Sequence, residues 1–192
     1  MIHDRWIKAF GTPVGHMTFT THLKKTVLVA ALGGVAVAGA SVAKAQTPTA
    51  IKQHKAWGAY SYNDAKAGKI CYILSVPTVK EPTDRNHGDV FFLISQKPKG
   101  SNGLEPQFEV GYPLKANSAV TVDVDGKKFE MFTRGQNAWI RDLSNEPQLI
   151  DAMRAGRSMK VSAESSRGTP TVYTYSLSGV TAALAEVNNC KR

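Results

Sequence analysis

The chain holds 192 residues with a net charge of +9, 42% of them hydrophobic and 20% charged. Its basic residues are spread along the sequence instead of gathered in blocks. This reads as a solvated surface, with an acidic partner such as a lipid headgroup, a polysaccharide or a nucleic acid as the alternative. Two cysteines without a CxxC spacing and, beyond residue 45, only His54 and His87 as imidazoles leave little for a metal site, and no cofactor is expected.

The first informative segment is 17–45. Lys24 and Lys25 precede an uncharged run of small and aliphatic residues from Thr26 to Val42, and Ala43-Lys44-Ala45 then supplies the A-x-A pattern of a cleavage site. A signal peptide removed after Ala45 is expected; a retained anchor is the rival, with a run at the short end of a spanning helix. Residues 1–16 are either an extended n-region or lie upstream of a start at Met17, and contribute nothing to the fold. The exported part then begins at Gln46, with no spanning segment after cleavage, a flexible lead-in over 46–54 and one domain over 55–192.

Within that domain, short apolar or alternating runs recur between turn clusters, the pattern of antiparallel strands. Strands are expected near 56–62, 70–76, 90–96, 107–112, 119–124, 127–133, 138–141, 158–164 and 171–177, with PTVKEPTDRNHGD, QKPKGSNGLEP and YPLKANS as breaks. The best-specified element is the hairpin VTVDVDGKKFEM. Asp125-Gly126 suits a two-residue type I′ turn, pairing Asp123 with Lys128, Val122 with Phe129, Thr121 with Glu130 and Val120 with Met131. Apolar pairs then share one face and polar pairs the other, so burial and pairing agree. Trp57 and Trp139 read as core or core-edge anchors.

Two short helices interrupt the strands. In EPQLIDAMRAG, Pro147 suits a first turn, Leu149, Ile150 and Met153 form an apolar stripe, and Gly156 ends it. The second is expected to start from Ser178 as N-cap, with Val180, Ala183, Leu184 and Val187 on one face and Cys190 continuing it. Cys71 and Cys190 are expected to be bonded, since an exported chain with two thiols invites one disulfide. That bond requires the last turn of the C-terminal helix to lie near the strand carrying Cys71.

Material for catalysis is scarce. His87, in the loop TDRNHGD with Asp84 and Asp89, is the one imidazole outside the lead-in, and a plain polar turn explains it better than a triad with a distant serine. The same loop lacks the twelfth-position Glu of a calcium loop, where Ser95 stands, and Asp123, Glu130, Glu105 and Glu109 all have structural explanations. Arg134, Arg141, Arg154, Arg157 and Arg167 fall on three elements, which disfavours a nucleic-acid surface.

From Trp57 to Cys190 the order of motifs is familiar: Cys71-Tyr72, Gly111-Tyr112-Pro113, Val124-Asp125-Gly126, Phe132-Thr133, Ala138-Trp139, Ala152-Met153-Arg154-x-Gly156, Arg167-Gly168-Thr169 and Tyr175-Ser176-Leu177-x-Gly179. In this arrangement the chain resembles the invasion-associated locus B family of alphaproteobacterial envelope proteins. The resemblance implies a small exported protein, in some pathogens associated with entry into host cells, and it carries no catalytic activity to transfer. The expectation is therefore a mainly β fold, a single antiparallel β-sandwich with a closed barrel as alternative, carrying two short helices, one of them C-terminal. Its expected role is non-catalytic binding of an unknown envelope or host-surface component at the periplasm or cell surface, with a hydrolase of an envelope polymer or a structural factor for envelope integrity as alternatives.

Overall fold

A computed structural model of the chain describes residues 47–65, 67–97 and 103–190. The expected signal segment, 17–45, and residues 1–16 lie outside the described residues. Eleven strands and two helices alternate along the described chain: β1 (Thr49–His54), β2 (Trp57–Asp64), β3 (Gly68–Ser75), β4 (Val79–Glu81), β5 (Phe91–Gln96), β6 (Leu104–Glu109), β7 (Ala119–Val124), β8 (Lys127–Arg134), β9 (Asn137–Ile140), α1 (Asn145–Ala155), β10 (Ser158–Glu164), β11 (Pro170–Ser176) and α2 (Val180–Asn189). Among them no helix is long and apolar enough to cross a membrane.

All pairings are antiparallel, in one sheet of order β1-β2-β3-β5-β6-β9-β8-β7-β10-β11-β4 that does not close into a barrel. The sheet folds over so that its two halves face each other. Phe92 of β5 meets Tyr175 of β11 at 6.0 Å between ring centroids, Phe108 of β6 meets Tyr173 at 5.5 Å, and Trp57 Nε1 donates to the Ser176 carbonyl at 2.9 Å. The two-layered arrangement is thus made from one continuous sheet. Between the layers lie Trp57, Ile73, Phe92, Phe108, Val122, Met131 and Tyr175, each contributing on the order of 1.5–3 kcal/mol through its burial.

The 120–131 hairpin has the expected register at all four pairs, and Asp125 and Gly126 both have positive φ, at 47° and 96°, as a type I′ turn demands. In α1 the stripe Leu149, Ile150 and Met153 is buried and Gly156 follows as the C-cap. In α2 Val180, Ala183, Leu184 and Val187 are buried, and the cysteine after the helix, Cys190, is joined to Cys71 of β3 with Cα atoms 6.4 Å apart. A second tie runs beside this bond: Gln96 accepts from the Cys71 N–H and donates to the Val187 carbonyl.

Three expectations are corrected. Residues 49–54 of the supposed lead-in form β1, an edge strand paired with β2 and packed beside α2. His54 Nε2 lies 3.0 Å from Glu186 Oε1, which holds the strand to the helix. Second, α2 is capped by Gly179 and not by Ser178: its φ is 98°, and its α-carbon lies so close to the His54 carbonyl that no Cβ fits. Third, the break PTVKEPTDRNHGD contains β4, a three-residue edge strand on β11.

Candidate functional site

The loop after β4 is held down by backbone contact. Gly88, with φ at 61°, lies against Gly111, and a Cβ on Gly111 would come within 2.9 Å of the Asp89 amide nitrogen. Only glycine permits this approach, and it sets Tyr112 beside His87. The chain after Tyr112 then docks on the β10–β11 turn: Ser166 N donates to the Pro113 carbonyl and Lys115 N to the Glu164 carbonyl, both at 2.9 Å. Three separate segments are thereby brought to one place.

Between them opens a cleft of about 380 Å³, lined by Arg85, Asn86 and His87 from the first segment, Tyr112 and Pro113 from the second, and Ser165, Ser166, Arg167, Thr169 and Thr171 from the third. Among the described residues, no Asp or Glu lines it. Asn86 Oδ1 accepts the Gly88 N–H at 2.9 Å, so that side chain shapes the turn.

His87, expected in a plain polar turn, is instead buried, with an exposure of 7%. Its Nε2 donates to the Pro82 carbonyl at 2.9 Å, and its Nδ1 lies 2.8 Å from the Tyr173 hydroxyl. The carbonyl has lone pairs and no proton, so Nε2 carries the proton and, in the neutral ring, Nδ1 accepts from Tyr173. Tyr173 is in turn 2.7 Å from the Tyr112 hydroxyl, itself 2.8 Å from Thr171 Oγ1. A relay of side chains thus runs from the cleft wall into the core. Burial, reinforced by the hydrogen bond with Tyr112, pushes the Tyr173 phenol far above its ordinary range, so the hydroxyl keeps its proton.

Both serines of the cleft stand apart from the imidazole's hydrogen bonds. Ser165 Oγ accepts the Thr169 N–H at 3.1 Å, and neither ring nitrogen of His87 bonds a serine. Of the five arginines singled out from the sequence, only Arg167 lines the cleft. Arg85 was missed, and Tyr112, read only within the Gly111-Tyr112-Pro113 motif, and Tyr173 were not placed at this site; the approach of Gly88 to Gly111 that builds it is tertiary and leaves no local signal. Of the two tryptophans read as core or core-edge anchors, Trp57 is fully buried, whereas Trp139 is half-buried on the outer face of β9, 5.9 Å from the Phe132 ring.

The sequence profile described as "Invasion associated locus B (IalB) protein" matches residues 57–188. Among solved structures, the chain is similar to the crystal structure of invasion associated protein b from Bartonella henselae, at 17% identity and a TM-score of 0.52, covering 72% of this chain and 95% of that one. At that identity the likeness shows the fold alone. No curated protein matches the chain.

Proposed function

The chain belongs to the invasion associated locus B family, and from that premise we propose that it is an exported envelope protein that acts by binding and not by catalysis. The observation that carries the reading is the state of His87. Nucleophilic catalysis at Ser165 or Ser166 needs a general base within hydrogen-bond reach of the serine, and His87 is the imidazole that lines the cleft. Both nitrogens of His87 are committed instead, one to Tyr173 and one to Pro82. The residue supports the cleft wall.

Export is supported by the basic segment, apolar run and A-x-A pattern before Gln46, and by a disulfide of the kind that persists in an oxidising compartment. The partner is an envelope or host-surface component; the relative's name speaks of invasion, and a contribution to host interaction is carried over on that basis.

Crosslinking in intact cells, with a photoreactive residue at Thr169 in the cleft and a control at Ser178, tests the reading. Capture of a partner from position 169 and not from 178 is expected, and the exported protein should have the intact mass of a chain starting at Gln46. The purified protein should cleave no envelope polymer, and hydrolysis that is lost in a folded His87→Gln protein would replace the binding role with the hydrolase.

A further inference from the structure

The cleft has a ligand chemistry of its own. Two arginines line it, Arg85 from the loop before β5 and Arg167 from the turn between β10 and β11. Arg167 has no ion-pair partner among the described residues. Arg85 meets Asp84 at 3.7 Å with both side chains largely exposed, a contact too weak to withhold it from a ligand. Glu164, which approaches the same turn, is held through both oxygens by Lys115 Nζ at 2.9 and 3.0 Å and does not neutralise Arg167.

The remaining lining fits a polyhydroxylated body. Ser165 uses its oxygen to accept the Thr169 N–H, which leaves its proton for a ligand, and Ser166 and Thr169 add further hydroxyls at the rim. Hydroxyls both donate and accept, so they match sugar hydroxyls in either direction. Tyr112 and Pro113 add apolar wall, and the Tyr112–Tyr173–His87 relay fixes that wall before any ligand arrives. The volume, about 380 Å³, exceeds what a bare oxyanion fills and is at the small end of organic-ligand sites.

We propose that the cleft binds an acidic sugar unit, a saccharide carrying a phosphate or carboxylate, with the oxyanion on Arg85 and Arg167 and the sugar hydroxyls on Ser165, Ser166 and Thr169. Guanidinium groups present parallel N–H donors that match two-oxygen anions. This assignment rests on the binding role proposed above and names the ligand class of the same site.

The test is a calorimetric titration of the full chain, disulfide intact, with four probes: glucose 1-phosphate, glucuronic acid, inorganic phosphate and glucose. One of the two acidic sugars should bind at least about tenfold more tightly than glucose and than inorganic phosphate, and its identity tells which oxyanion the site prefers. Its affinity should fall as NaCl is raised. Arg85→Gln and Arg167→Gln, both at exposed positions, should each weaken it about tenfold with the unfolding midpoint unchanged. Equal binding of glucose, salt-independent binding, or full affinity in both variants overturns the site; inorganic phosphate binding as tightly as the sugar phosphate overturns the sugar assignment. If no acidic sugar binds while position 169 still captures a partner in cells, the ligand class fails and the binding role stands. If a probe is converted to a new compound, the non-catalytic role fails and the ligand class stands.

Discussion

His87 Nδ1 and the Tyr173 hydroxyl lie 2.8 Å apart although 86 positions separate them in the chain. The histidine belongs to a loop whose composition reads as solvent, and the tyrosine to a strand in the core. Their bond ties the wall of the cleft to the sheet, and the second imidazole nitrogen ties the loop to itself through Pro82.

His87→Ala should therefore destabilise the protein well beyond the roughly ±0.5 kcal/mol usual for an exposed site. It leaves the Pro82 carbonyl and one side of the Tyr173 hydroxyl without their partner, a loss of about 1–3 kcal/mol. Tyr173→Phe, which keeps the ring and removes the hydroxyl shared by His87 and Tyr112, should cost a similar amount. Equilibrium denaturation in urea checks both; a His87→Ala midpoint equal to wild type would mean that the loop is solvated in solution.

The disulfide closes a sequence separation of 119 residues, so most of the domain lies inside the loop it forms. Replacing Cys71 and Cys190 together by serine should lower stability by about 2–5 kcal/mol. The Gln96 contacts to Cys71 and Val187 keep α2 docked in the folded variant, so a chain that still folds but unfolds at lower denaturant is the expected outcome. Thiol labelling of the unreduced wild-type protein under denaturing conditions should find no free cysteine.

What the sequence made legible was whatever local pattern decides. In the 120–131 hairpin the alternation and the Asp125-Gly126 turn are neighbours in sequence, and all four pairs follow from them. The same holds for the apolar stripes of α1 and α2. By contrast, β1 is exposed or half-buried along its whole length, so no burial pattern marks it; it is ordered by Gly179 against the His54 carbonyl and by Glu186, both far along the chain. The cleft was hidden for a related reason. Arg85, Tyr112 and Arg167 come from three segments, and only the tertiary approach of Gly88 to Gly111 and the docking of Pro113 on the β10–β11 turn bring them together.

The Tyr175 hydroxyl is buried and has no hydrogen-bond partner among the described residues. Burial drives its phenol far above the ordinary tyrosine range, so the group stays neutral and the whole cost is that of an unpaired dipole. Tyr175→Phe should raise stability by about 1 kcal/mol while keeping the ring contact with Phe92. Thermal unfolding followed by circular dichroism reads this directly, and a lower midpoint would show that the hydroxyl has a partner in solution.

Glu109 gives the pH-dependent test. It lies on the outer side of β6, opposite Phe91 in the register, and burial pushes its carboxyl above the usual carboxylate range. A carboxyl whose folded value is raised binds its proton more tightly in the native state, so stability falls as pH rises from the ordinary value of 4.5 through the folded one. Above that window the cost of the buried charge is fully present; below it, both states are protonated and the cost vanishes. Glu109→Gln should accordingly unfold at a higher temperature than wild type at pH 7 and at nearly the same temperature at pH 3.5. A variant less stable than wild type at pH 7 would mean that the carboxylate has a cationic partner that outweighs its desolvation.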